Sequence, residues 1–236
     1  RNWYFNRLYS LVAAKADRVV VVSPGQGEYL WKSFGCESIV ILSLPDHNAI
    51  PVREAREDSI RCVYHGLAFP DRKLDFLIDV FHHLDDRYSL DMYLHSASNP
   101  EHVEELRELA APDPRVRVRN TVPYHELISV TSTYDLGFAL FPPSSINVVT
   151  ALPNKFFEML QARLGLVVFD AGDMSDIVRE YGCGICVPAF NAVDVARRLN
   201  GLSADEITRF KLASDSAAQH LCFSAHEASY AEALDL

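Results

Sequence analysis

Cations are in short supply and nowhere clustered. The 236 residues carry 22 Lys and Arg against 32 Asp and Glu, a formal net charge of −10 at pH 7. Nucleic acids and anionic membrane surfaces are held by clustered positive charge, so neither is expected as a partner, and any anionic ligand has to be met by a local arrangement of donors. No stretch approaches the roughly 18 consecutive apolar residues of a membrane span, and no secretory leader is recognisable. Cysteine is sparse too. Cys36, Cys62, Cys183, Cys186 and Cys222 form no even framework, and a chain of this length buries a sufficient core without cross-links. A reducing, cytoplasmic setting is therefore expected. Internal repeats and low-complexity segments are absent. The chain opens on Arg1 rather than Met, and upstream residues are expected to precede it.

What the chain does have is alternation. Between about residue 60 and about residue 200, apolar runs rich in Val, Ile and Tyr alternate with amphipathic stretches. Strands are expected at 61–66, 89–95, 115–119, 135–141, 165–170 and 184–188, with helices beginning near Lys73, Glu101, Tyr124, Asn154, Met174 and Asn191. Runs such as "LGFAL" and "LGLVVF" are apolar throughout, as strands covered on both faces are. The pattern predicts an α/β fold built on a doubly wound parallel sheet.

Ahead of this block the sequence predicts a helix at 3–15, a strand at 18–23, a helix from Gln26 and a strand at 38–42. Two strands and two helices leave much apolar surface uncovered. The unit is read as the end of a partial Rossmann-like domain; packing as extra strands on the main sheet is the alternative. "SLPDHNAIPVREAREDS" has two prolines, mixed charge and no apolar period, and reads as a linker. Two helical stretches follow residue 200. The expected division is 1–45, a linker at 46–59, a main domain at 60–222 and a terminal helix at 223–236.

Two motifs invite a function and do not support it. "VVVVSPGQGEYL" places Gly25 and Gly27 between a strand and a helix, but Leu30 stands where a dinucleotide fingerprint needs its third glycine, and no acidic residue ends the next strand. A plain strand-to-helix turn capped by Ser23 accounts for it. Cys183 and Cys186 form a CxxC, yet Cys186 falls in an expected strand and no second ligand pair exists for zinc. Two buried structural thiols account for that pair.

The loops at the carboxyl ends of the main strands remain, where an open α/β sheet takes its ligand. In "YHGLAFPDRKLDFL", Gly66 permits a close backbone approach, and Arg72 and Lys73 arrive as a helix begins. Two cations there oppose the helix dipole unless an anion lies between them and the helix; a solvated surface pair is the alternative. "FPPSSINVVTALPNKFFEML" is a long apolar connection, the length at which loops are often binding segments. Pro153 suits the first turn of a helix, whose free N–H groups near Asn154, together with Lys155, make a phosphate site. Glu158, among Phe156, Phe157, Met159 and Leu160, would suit the paired hydroxyls of a ribose; an exposed helix face is its alternative.

Taken in order, these segments resemble the donor-binding half of a GT-B glycosyltransferase, in particular the family 4 group of retaining enzymes that use nucleotide sugars. "ADRVVVVSPGQGEYL" resembles the end of that family's acceptor domain, "YHG" with Arg72 its diphosphate segment, and "VRVRNTVPYHELISVTSTYDLGFALFP" its base-binding loop and next strand. "LPNKFFEMLQARLGLVVFD" is similar to a Pro-Asn-Lys variant of its Glu-x7-Glu region, "REYGCGICVP" fits the strand that follows, and "FSAHEASYAEAL" resembles its terminal helix, which returns to the acceptor domain.

The resemblance implies a transferase acting from a nucleotide-diphosphate sugar, without metal or cofactor, on a glycan, lipid-linked or small-molecule acceptor. It also implies a role in polysaccharide synthesis, in the cytoplasm, with peripheral membrane contact through the acceptor domain. It assigns Arg72 and Lys155 to the diphosphate, Glu158 to the ribose, Thr121 and Val122 to the base, and Gly66, Leu67, Thr150, Leu152, Pro153 and Asn154 to the donor-facing loops. Three positions depart from the family: Thr150 stands at the first glutamate, Leu67 at a frequent arginine and Lys73 at a frequent glycine. A non-catalytic module of the same fold is the alternative these departures favour.

Overall fold

The computed structural model describes residues 7, 10–11, 15–95, 99–188 and 190–234. The expected helix at 3–15 lies largely outside them.

Six strands form one parallel sheet: β3 (Ile60–Leu67), β4 (Tyr88–His95), β5 (Val116–Asn120), β6 (Leu136–Ala139), β7 (Gly165–Phe169) and β8 (Gly184–Val187). Their order is β5-β4-β3-β6-β7-β8, the doubly wound arrangement expected from the alternating pattern. β6 and β7 are buried at every residue, which is why their sequences do not alternate.

The register locates the crevice. β3 pairs with β4 along its whole length, from Ile60 against Tyr88 to Leu67 against His95. With β6 it pairs only at Cys62 and Val63. Beyond Val63 the two strands part, and the upper end of β3 is left without a neighbour on that side. This is the topological switch point, where the chain reverses its direction of winding and such sheets bind ligands.

Three helices bear on the crevice. A 3-10 turn at Pro70–Arg72 leads into α2 (Leu74–His82), α4 (Tyr124–Thr131) follows β5, and α6 (Asn154–Gln161) follows the loop after β6, behind the short α5 (Ile146–Val149). In α6 the apolar pattern buries Phe156, Phe157, Met159 and Leu160 against the sheet, and this packing fixes where the polar Lys155 and Glu158 emerge.

The first unit is small: β1 (Val20–Val21) and β2 (Ile39–Val40) pair in parallel around α1 (Pro24–Phe34), in a sheet of their own. They do not extend the main sheet, so the alternative of extra strands is set aside. Val20, Val22, Ile39 and Val40 are exposed among the described residues.

Polar contacts tie this unit to the main sheet. Ser23 Oγ donates to the Thr150 carbonyl at 2.5 Å, and Gly25 N donates to Asp173 Oδ2 at 2.8 Å. A Cβ on Gly25 would lie 2.5 Å from Asp173 Oδ1 and 2.7 Å from the Thr150 methyl, so a larger residue would have to displace these side chains. Arg163, 2% exposed, donates to the Asn48 carbonyl at 2.6 Å, and Gln161 Oε1 accepts from Asn48 N at 2.9 Å. The last helix, α10 (Phe223–Leu234), returns to the first unit, with Tyr230 Oη donating to the Leu42 carbonyl at 2.7 Å.

Candidate functional site

Neighbouring residues of a strand point to opposite faces, yet Tyr64 and His65 of β3 are both met by side chains of α6. Glu158 meets His65, with 3.6 Å between Glu158 Oε2 and His65 Nδ1. Lys155 crosses the end of the strand to reach Tyr64, where its Nζ donates to the phenol oxygen at 2.8 Å and lies 4.2 Å from the ring centroid. The crossing point is Gly66. Its φ is 133°, a region closed to most side chains, and a Cβ there would lie 2.5 Å from Lys155 Nζ.

Phe141, from the loop after β6, holds the two basic residues side by side. The Arg72 guanidinium lies 5.0 Å from its centroid and Lys155 Nζ 5.3 Å. Both are cation–π contacts. Among the described residues, neither cation has a carboxylate within ion-pair distance. Burial, with the adjacent Arg72 charge second, pushes Lys155 down to about 7, against a smaller opposing pull from Glu158.

The N-terminus of α6 opens on the same place. Pro153 takes the N-cap position rather than the first turn and provides no side-chain cap. The N–H groups of Asn154 and Lys155 have no partner among the described residues, leaving partial positive charge beside two full ones. The Gly25–Gly27 turn shows the opposite case: Ser23 Oγ and Asp173 close the N-terminus of α1 with the protein's own oxygens.

Glu158 is 6% exposed, which removes its reading as a solvated helix face. Burial raises its pKa, partly offset by hydrogen bonding from Tyr124 and by the Lys155 charge. His65 is 4% exposed and is pushed down to about 3 by burial first and Lys155 second, so it is neutral. Its Nε2 is buried without a partner among the described residues.

The other expected residues fall around this centre unequally. Leu67 is exposed at the end of β3. Thr121 is exposed and Val122 half-buried, in the loop between β5 and α4, where Tyr124 links that loop to Glu158. Leu152 is buried, so it offers only backbone to the crevice. Thr150 is buried as well, and its hydroxyl is engaged, donating to the Ile146 carbonyl at 2.8 Å. Arg72 and Lys73 do not act as a pair, because Arg72 folds onto Phe141 while Lys73 stays exposed at φ 51°.

Elsewhere, Cys183 is buried but Cys186 only half-buried, which corrects the expectation of two buried thiols. The groove between β5 and α3 (Pro100–Ala110) is edged by Arg107, Arg117 and Arg119, already engaged by Glu104 and Asp91. Sequence reasoning missed Tyr64, His65, Phe141 and Tyr124. The available signal was adjacency: "YH" immediately precedes Gly66, and Phe141 ends the fully apolar run before Pro142.

The family model of glycosyl transferases group 1 matches residues 59–205. No curated protein sequence matches. Among solved structures, HepE from Anabaena in complex with UDP-glucose superposes with a TM-score of 0.79 at 14% identity, covering 98% of this chain and 67% of that one. A glycosyltransferase from Rickettsia africae gives 0.73 at 14% identity, with 98% and 67% covered. Sucrose-phosphate synthase from Thermosynechococcus elongatus gives 0.73 at 14% identity, covering 98% of this chain and 61% of that one. At these identities the superpositions show the shared GT-B architecture. The family model spans more than half of the residues, and the chain belongs to the glycosyl transferases group 1 family.

Proposed function

We propose that this chain is the donor-binding half of a glycosyltransferase that moves a sugar from a nucleotide-diphosphate donor to an acceptor with retention, in polysaccharide or glycolipid synthesis. One observation carries the reading: Arg72 and Lys155 lie together against Phe141, with no carboxylate at ion-pair distance among the described residues, beside the open N-terminus of α6. Two cations and free N–H groups at one point suit a diphosphate. Glu158, one turn further along, suits the ribose hydroxyls, and Thr121 and Val122 suit the base. UDP in the HepE complex is consistent with a nucleotide donor.

In the reaction the bond from the sugar's anomeric carbon to the diphosphate oxygen breaks, and the acceptor oxygen bonds to that carbon on the same face. The departing phosphate oxygen takes the acceptor's proton. Negative charge develops on that phosphate, where Arg72, Lys155 and the α6 N–H groups would stabilise it from fixed positions.

Calorimetry with uridine, guanosine and thymidine diphosphates tests the site. At least one nucleotide is expected to bind the wild type and to bind Lys155→Ala and Glu158→Ala more weakly. Binding unaffected by both substitutions would remove the assignment. A second reading, a non-catalytic nucleotide- or partner-binding module, is favoured by the buried Thr150 and by Leu67. Sugar transfer by the full-length protein would remove that one.

A further inference from the structure

We propose that Tyr64 is a positioning residue for Lys155, and that arrival of a nucleoside diphosphate is coupled to uptake of a proton by the Lys155 amine. The inference rests on the donor-site reading above and concerns how that site is held ready while empty.

The geometry gives the amine a place but no counter-charge. Lys155 Nζ lies over the Tyr64 ring and beside Phe141, at 2.8 Å from Tyr64 Oη. Every group facing it pushes its charge in a known direction. From the 3-10 turn, Arg72 repels it. Asp71, on the same turn, acts on Tyr64 rather than on the amine. From its own helix Glu158 attracts it, but that carboxylate is engaged with His65 and Tyr124. From β3, His65 is neutral and Tyr64 is kept protonated by burial. With the amine's pKa near 7, much of it is uncharged in mildly alkaline solution.

A phenol, like any hydroxyl, can serve both states. It accepts from the ammonium, and it donates to the lone pair of the uncharged amine. Tyr64, 1% exposed, therefore keeps Nζ at the mouth of the crevice whichever form is present. A diphosphate supplies the missing negative charge, raises the amine's affinity for a proton and draws one from solvent.

The test is calorimetry of UDP and GDP at about pH 8.5, well above the phosphate's own titration near pH 6, in Tris and in Bicine, which differ in ionisation enthalpy. For whichever nucleotide binds, the wild type is expected to take up most of one proton, with affinity falling by up to about tenfold per unit as pH rises above 7. Lys155→Met should bind more weakly with no uptake. Tyr64→Phe, which keeps the ring, should lose about tenfold in affinity while still taking up a proton. A wild type that binds without uptake overturns the coupling, and a Tyr64→Phe variant with unchanged affinity overturns the positioning role. Failure of uridine, guanosine and thymidine diphosphates alike to bind would overturn the donor-site reading itself, a different result from either.

Discussion

The ammonium of Lys155 reaches Tyr64 because residue 66 is a glycine. The lysine passes over the end of β3 at a backbone whose φ is 133° and which has no Cβ, and a methyl group there would lie 2.5 Å from Nζ.

Gly66→Ala is therefore expected to act on binding as well as folding. The positive φ should cost about 1–3 kcal/mol of stability, and the displaced Lys155 should cost at least about tenfold in nucleotide affinity. Chemical unfolding and calorimetry on the same sample separate the two effects. A variant that is destabilised but binds normally would show that Lys155 does not need this path.

Lys155 makes stability depend on pH in a stated direction. Its folded pKa, about 7, lies below the unfolded value of 10.5. Between these two limits the unfolded chain holds a proton the folded chain lacks, so this group's contribution to stability rises with pH through that window. Lys155→Met removes the penalty of charging a buried amine. Its stability advantage over the wild type should be larger at about pH 6.5 than at about pH 9, as measured by urea unfolding. An advantage that grows with pH would contradict the assignment.

Lys73 occupies a left-handed conformation, φ 51° and ψ 49°, at the start of α2, and its side chain is exposed. Lys73→Gly should stabilise the protein by about 1 kcal/mol, read as a higher denaturation midpoint at unchanged m-value. A fall in midpoint would mean that the lysine makes a compensating contact.

Thr150 is the position at which a carboxylate was expected and is missing. Its methyl group packs against the site of Gly25 beside Asp173, and its carbonyl accepts from Ser23. Thr150→Glu should therefore cost about 2 kcal/mol, by overpacking and by repulsion from Asp173, without improving nucleotide affinity. Tighter binding by this variant would show that the side chain can turn into the crevice.

The fold was legible because each element satisfies its own local rule. All six main strands fall within two residues of the expected positions, and α4 and α6 begin at the residues expected, Tyr124 and Asn154. β6 stops at Ala139, paired with Val168, short of the expected 141. The strands of the first unit are two residues each, shorter than the expected 18–23 and 38–42. At the site, Arg72, Lys155 and Glu158 were legible as polar residues in loops and helix starts at the sheet's carboxyl edge. The meeting of Lys155 with Tyr64 was not, because it joins residues 91 apart through one backbone conformation, which no periodicity records. Burial of Glu158 against His65 was hidden for the same reason.

The account rests on Arg72 and Lys155 holding a diphosphate, and the most direct measurement compares uridine diphosphate with uridine monophosphate by calorimetry. In the wild type the diphosphate is expected to bind about tenfold or more tightly than the monophosphate, and in Arg72→Gln and Lys155→Gln that difference should largely vanish. Equal affinities in the wild type, or a preference for the diphosphate that survives both substitutions, would contradict it.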